Sequence, residues 1–464
     1  MWGASKLDTT VVTLSRTATR KKANLIKPWK KVASIIVFIV CVISMFYVNR
    51  QVEVTLDYIL AAFGTVPFIY FLFKMVFSFL YKPDIKEPLP GIKVSVVVPC
   101  YNEKPKAVEK TLECLINQDY PIHEIFFIDD GSKDTSGYET AKKLADEIDG
   151  WREVAATVLD HDKRNAWAQA MTDLPQIIVH RFEKNQGKRA AQVWGFRQAT
   201  GDVIMIVDSD GYIYPDAVRE LLKPFHDPEV VAVTGHVNAR NKSENFMTRL
   251  QDVLYESAFR VGRGAMSVTG DVLVCSGAIS MFKREVVLNN IDVFANQMWF
   301  GKPMNIGDDR RLTTISLKVG KVKYQSTARC ITDVPTSVRQ FFKQQVRWSK
   351  SFYIESVNQL RVALKKRSLM MIIWILGEGL IWAMFGSTVL TSLAFSPWAL
   401  KNVLFIYACS YFVLSALANN VYYIFKNLHL YLLSPFFGLI HTLLLYPIRV
   451  YALLTIRRDK WATR

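Results

Sequence analysis

The sequence predicts an α/β domain, doubly wound around a largely parallel sheet, fused to an α-helical transmembrane region. Two observations carry that expectation. Long apolar runs lie at both ends of the 464 residues, while the middle is mixed in composition like an ordinary soluble domain. Within the middle, short β-branched runs alternate with helix-like stretches, the pattern of strand–helix–strand units.

The first segment, residues 1–31, is polar and basic, with Arg16, Arg20, Lys21, Lys22, Lys27, Lys30 and Lys31. It is too long and too basic for a signal-peptide n-region. Residues 32–81 hold two predicted spans. Val32 to Val48 carries no charge, and Asp57 to Tyr81 carries Lys74, expected to snorkel towards the interface. The basic flank places the N-terminus in the cytoplasm, and two crossings return the chain there at Lys82.

Residues 82–338 read as the cytoplasmic domain. Ile92 to Pro99 is a continuous apolar run, as expected of a strand buried on both faces. Glu124 to Ile128 and Val203 to Val207 repeat it, with helices expected over Lys106 to Asn117 and Glu139 to Glu147. Residues 339–368 form an amphipathic segment that suits an interfacial helix. Residues 369–464 contain three further apolar runs: Leu369 to Phe395, Val403 to Phe425 and Leu430 to Ile456. One crossing by the last run would put Arg457, Arg458, Lys460 and Arg464 outside, against the positive-inside tendency. Pro435, Gly438 and Pro447 are therefore expected to break it.

The formal charge of +17 asks for an anionic partner: anionic lipid, or a phosphate-bearing or acidic substrate. No zinc-finger spacing or RNA-binding signature is present, so no nucleic acid is expected. The cysteines, Cys41, Cys100, Cys114, Cys275, Cys330 and Cys409, include no CxxC pair and are expected to be reduced thiols.

Polar motifs sit where the strands should end, the place where ligands bind in such sheets. IDDGS, Ile128 to Ser132, offers an acidic pair that can accept hydrogen bonds from a nucleobase or ribose; the same residues suit an Asp-Gly turn. VDSD, Val207 to Asp210, sets Asp208 and Asp210 two apart, able to share a hard cation or to form an acidic turn. NQGKRAAQ, Asn185 to Gln192, puts Lys188 and Arg189 at a helix start, a phosphate-binding arrangement. NIGDDRRL, Asn305 to Leu312, places Asp308 and Asp309 before a helix. Asp309 is the candidate general base, and a helix dipole would favour the same acids. KQQVRWSKSF, Lys343 to Phe352, supplies Arg347 and Trp348, with Phe341, Phe342, Val346, Ser349, Phe352 and Tyr353 on one side.

These five motifs, in their chain order between membrane runs, resemble the processive family 2 glycosyltransferases. DSDGYIYPDA (208–217), TGHVNARN (234–241), VTGDVLVCSGAIS (268–280), IGDDRRLT (306–313) and YQSTARCITDVP (324–335) are similar to membrane-embedded hyaluronan synthases. The resemblance implies a GT-A type nucleotide-sugar-binding domain on a multi-pass plasma-membrane protein. It assigns donor binding to Tyr101, Glu103, Asp129, Asp130, Lys188, Arg189, Asp208, Gln344 and Arg347, and a metal, Mg2+ or Mn2+, to Asp208 and Asp210. Catalysis falls to Asp309 with Asp308, and the acceptor sugar to Cys275 and Trp348. The family's C-terminal WGTR motif stands here as Trp461, Ala462, Thr463 and Arg464, with Trp461 and Arg464 on the donor. The implied partners are UDP-GlcNAc, UDP-GlcA, UDP, nascent hyaluronan and the lipid bilayer, with no obligatory protein partner. The competing readings are a chitin synthase using UDP-GlcNAc only, and a non-catalytic membrane scaffold or transporter.

Overall fold

The structure is a computed structural model that describes residues 27–53, 58–161, 165–379, 383 and 413–457. Its centre is an eight-stranded sheet. The strands are β1 (Val94–Cys100), β2 (Glu124–Asp129), β3 (Gln176–Arg181), β4 (Val203–Ile206), β5 (Tyr212–Ile213), β6 (Val230–Ala239), β7 (Ser280–Lys283) and β10 (Lys321–Thr332). Their spatial order is β3-β2-β1-β4-β7-β6-β10-β5, and β8 (Met298–Trp299) pairs separately with β9 (Lys302–Pro303). Every residue of β1 is buried, because helices cover both faces of the sheet; this is why its sequence is a run of Val rather than an alternation.

The three predicted strands are present and adjacent. β1 pairs in parallel with β2 and with β4, Val97 standing opposite both Phe126 and Ile206. That register brings Cys100, Asp129 and Ile206 to one edge, so the loops after all three strands meet there. The other half of the sheet is mixed: β7 runs antiparallel to both β4 and β6, and β5 antiparallel to β10. Strict alternation of strand and helix stops after β4, so the expected parallel pairing holds through β3-β2-β1-β4 and returns between β6 and β10. The predicted helices are found over Pro105–Ile116 and Ser136–His161, the second longer than its apolar pattern suggested.

Two helices, Pro28–Glu53 and Ser434–Leu454, contain stretches long and apolar enough to cross a bilayer. A third helix, Tyr58–Leu80, lies against the sheet-bearing domain near Gly264–Thr269. Lys74 does not snorkel: its ammonium pairs at 2.6 Å with Glu378 of the helix Leu369–Gly379. A partner within reach is cheaper than stretching a buried stem towards distant water. Trp374 of that helix is fully buried and donates from Nε1 to Thr269 Oγ1 at 3.0 Å.

The last apolar run breaks just before Pro435, one of the expected places, but not at Gly438 or Pro447. A short helix, Leu428–Leu432, ends and a new one spans Ser434–Leu454 without interruption. Pro435 occupies the first turn, where a missing N–H costs nothing. Pro447 sits inside the helix; the buried packing of its neighbours Leu445 and Ile448 on Phe341 holds the turn it weakens. The helix carrying Phe341 is Val338–Lys366, close to the expected segment 339–368 and capped by Ser337, whose Oγ accepts from Gln340 N. Phe341 and Ser349 of its predicted apolar side are buried, but Phe342 is 40% exposed, on the edge of that face. The five described cysteines are free thiols, and Cys409 lies outside the described residues.

Candidate active site

The converging strand ends floor a cavity of about 980 Å³. Tyr101 and Glu103 line it after β1, Asp130 after β2, and Asp208 and Asp210 after β4. Lys188, Asp308, Asp309, Gln344, Arg347 and Trp348 join them on its wall, while Asp129, Arg189 and Cys275 of the predicted set do not line it.

The acidic motif after β2 is split by strand alternation. Asp129 is fully buried and turned from the cavity, with Arg181 Nε donating to it at 3.1 Å and Ser132 N at 3.1 Å. It builds the turn and does not line the cavity, whereas a donor contact was expected of it. Gly131 serves the same turn at φ +66°, where a Cβ would lie 2.5 Å from the Lys184 carbonyl carbon. Asp130 faces the cavity and accepts from the Gln186 and Gly187 amides at 2.7 and 2.9 Å. Burial raises its pKa against the pull of those amides.

The helix Lys188–Gln198 separates its two cations in the same way, since adjacent residues diverge by about 100°. Lys188 reaches the Asp208 carboxylate in a short ion pair. Burial opposes its charge, and Asp208 more than offsets this, so its pKa ends above the ordinary value. Arg189 points elsewhere. It is buried against Asp308, Nε to Oδ1 at 2.6 Å, and donates to the carbonyl oxygens of Met304 and Ile306 at 2.7 and 3.4 Å. Arg189 thus braces the Asn305–Gly307 loop with Asp308 as its counter-ion, and it does not line the cavity where a donor contact was expected.

Asp309 starts the helix Asp308–Val319, accepting from Arg310 N at 2.8 Å. Burial raises its pKa above the ordinary carboxylate range, while the Arg310 charge works the other way. A carboxylate so placed can take a proton from a hydroxyl. Gly307 before it has φ +77°, and an added Cβ would lie 1.8 Å from Ser351 Oγ. Cys275 is fully buried behind the wall, its amide donating to Thr313 Oγ1 at 2.9 Å. Burial pushes its thiol up to about 12, and its neighbours Val274 and Ser276 line the cavity in its place.

Asp208 and Asp210 lie two apart on the cavity wall, and among the described residues no group of three or more His, Cys, Asp or Glu could hold a metal ion. The Lys188 ammonium on Asp208 marks the spot as one that accepts a cation. The pair therefore fits a hard divalent ion whose remaining ligands are water and phosphate oxygens. Trp461 and Arg464 lie outside the described residues.

Sequence reasoning missed part of the wall. Arg263 lies with its guanidinium 3.7 Å from the Phe259 ring centroid, and burial lowers its pKa to about 10. Arg310 and Arg449 both approach the Phe352 ring, at 5.3 and 5.9 Å. Phe71, Lys74 and Asn419 extend the cavity among the apolar helices. No single motif holds these residues; only their convergence in space could reveal them.

Residues 95–289 match Glycosyl transferase family 2, and residues 203–453 match Glycosyl transferase family group 2. A hyaluronan synthase from Streptococcus pyogenes is 37% identical over 438 residues, covering 94% of this chain and 98% of the relative. An N-acetylglucosaminyltransferase from Sinorhizobium fredii is 30% identical over 382 residues, 80% of this chain and 84% of the relative. Among solved structures, a mannosyltransferase from Pyrobaculum calidifontis in complex with GDP-Man and Mn2+ has a TM-score of 0.51 at 18% identity. It covers 90% of this chain and 99% of its own, and shares the GT-A fold.

Proposed function

The chain belongs to the hyaluronan synthase family of glycosyl transferases, and from that membership we propose how its site works. The enzyme polymerises N-acetylglucosamine and glucuronic acid in alternation, from UDP-GlcNAc and UDP-GlcA, into hyaluronan. One observation carries the mechanism: Asp208, Asp210, Lys188 and Asp309 line a single cavity at the strand ends.

Tyr101, Glu103 and Asp130 line the nucleotide end. Lys188, Gln344 and Arg347 lie where a diphosphate needs cations and donors. Asp208 and Asp210 would hold Mg2+ or Mn2+, which when bound supplies positive charge to the departing diphosphate. Asp309 takes the proton from the acceptor hydroxyl as its oxygen bonds to the anomeric carbon. The bond from that carbon to the diphosphate oxygen breaks and UDP leaves. A single displacement of this kind inverts the anomeric centre. Trp348, 39% exposed in the wall, offers its ring to the acceptor sugar.

The same cavity is lined from Gly438 to Arg449 of the helix Ser434–Leu454, about 16 Å of helix at 1.5 Å per residue. This supports a path for the polymer between the apolar helices of a multi-pass cell-membrane protein. Arg457 lies 5.6 Å from the Phe300 ring in the β8–β9 turn, which supports a C-terminus on the catalytic, cytoplasmic side. The segments 1–31, 32–81, 82–338, 339–368 and 369–464 then serve as basic arm, first spans, transferase, interfacial helix and C-terminal membrane region.

Purified enzyme given both donors should make a long polymer that hyaluronidase destroys, and neither donor alone should support it. Long polymer from UDP-GlcNAc alone, the reaction of a chitin synthase, would overturn the two-donor reading. Absence of UDP release would favour a non-catalytic role.

A further inference from the structure

Gln192 belongs to the NQGKRAAQ motif, yet no role above uses it. It lies one turn after Lys188 on the same face of the helix Lys188–Gln198, so the two side chains are neighbours on the cavity wall. Gln192 is only 2% exposed, and its Oε1 has no hydrogen-bond partner among the described residues. It is buried on the helix together with Arg189, Ala191, Gly195 and Phe196, and a buried amide oxygen left unpaired carries a cost that an apolar side chain of its size would not.

We propose that Gln192 reads the sugar of the donor, pairing with a hydroxyl that UDP-GlcNAc and UDP-GlcA have in common. This rests on the two-donor reading above. Lys188 places the diphosphate, and a hexose attached to it lies within a helical turn, where the amide waits. A hydroxyl both donates and accepts, so it satisfies whichever end of the amide faces it. The two donors differ at C2 and C6 of the ring and agree at C3 and C4. A buried amide satisfied by one donor alone would disfavour the other by about five- to 150-fold, the cost of an unpaired buried group. One site that must use both in turn cannot carry that penalty, so the contact is to C3 or C4.

The test uses the full-length enzyme and Gln192→Met, which keeps the volume and removes the amide. Calorimetric titration with Mn2+ present should show UDP binding within about twofold of wild type. UDP-GlcNAc and UDP-GlcA should each weaken by about five- to fiftyfold, and by the same factor within about threefold. Without ligand, the variant should melt no lower than wild type, because an unpaired acceptor has been removed; a merely structural Gln192 would give a lower melting temperature. Wild-type affinity for both UDP-sugars, loss confined to one of them, or equal weakening of UDP would overturn the proposal. Wild-type enzyme that binds UDP-GlcNAc but not UDP-GlcA would instead overturn the two-donor reading, a separate failure.

Discussion

Arg189 and Asp308 form an ion pair at 2.6 Å with both side chains almost closed to water, 4% and 6% exposed. The pair ties the start of the donor-side helix to the loop that presents Asp309. Because Arg189 also holds the carbonyls of Met304 and Ile306, it fixes that loop on three points. Removing one partner of such a pair leaves the other charge buried, at about 3–5 kcal/mol. Arg189→Met should therefore lower the melting temperature and cut kcat, with the dissociation constant for UDP nearly unchanged. A donor ligand would behave oppositely, losing UDP affinity first.

Asp309→Asn keeps the shape and removes the base. Polymer synthesis should fall by about 10²- to 10⁴-fold, the worth of a positioned general base, while UDP binding survives. Radiolabelled sugar incorporation alongside equilibrium binding of UDP checks both halves. Synthesis near the wild-type rate would remove Asp309 from the chemistry.

The pH dependence follows from the environment of Asp309. Burial raises its pKa, and the base works only when ionised, so activity should rise with pH through a limb displaced above the ordinary carboxylate range. Arg310 is the main influence holding the pKa down. Arg310→Gln should move the limb to higher pH, and a shift to lower pH in the kcat profile would refute the assignment.

Gly307→Ala combines a left-handed backbone with a collision on Ser351 Oγ. It should sharply reduce synthesis by displacing Asp309. The double variant Gly307→Ala with Ser351→Gly makes room for the methyl and should recover part of the rate, though not the backbone strain. No recovery would mean that the strain alone matters.

Chelation of divalent ions should abolish synthesis, and Mn2+ or Mg2+ should restore it, if Asp208 and Asp210 hold the cation. Asp210→Asn should raise the Mn2+ concentration needed for half-maximal rate. Full activity after exhaustive chelation would exclude the metal's part in the reaction.

The sequence by itself determined the catalytic half. β1, β2 and β4 are buried on both faces, so their residues had to be apolar in unbroken runs, and the polar motifs had to follow where the runs stopped. Chain order alone then placed Asp130, Asp208 and Asp309 in one class of site. What the tertiary structure decided is which of two adjacent residues faces that site. Asp129 and Arg189 carry the same chemistry as Asp130 and Lys188, but alternation along a strand and rotation along a helix turn each away, into ion pairs with Arg181 and Asp308. The mixed half of the sheet was equally invisible, because β6, β7 and β10 pair across long stretches of chain that no local pattern records. The same holds for Lys74 and Glu378, 304 residues apart, each an odd charge in an apolar run until the fold sets them 2.6 Å from one another. Local sequence fixes what a residue can do; only packing between distant segments fixes what it meets.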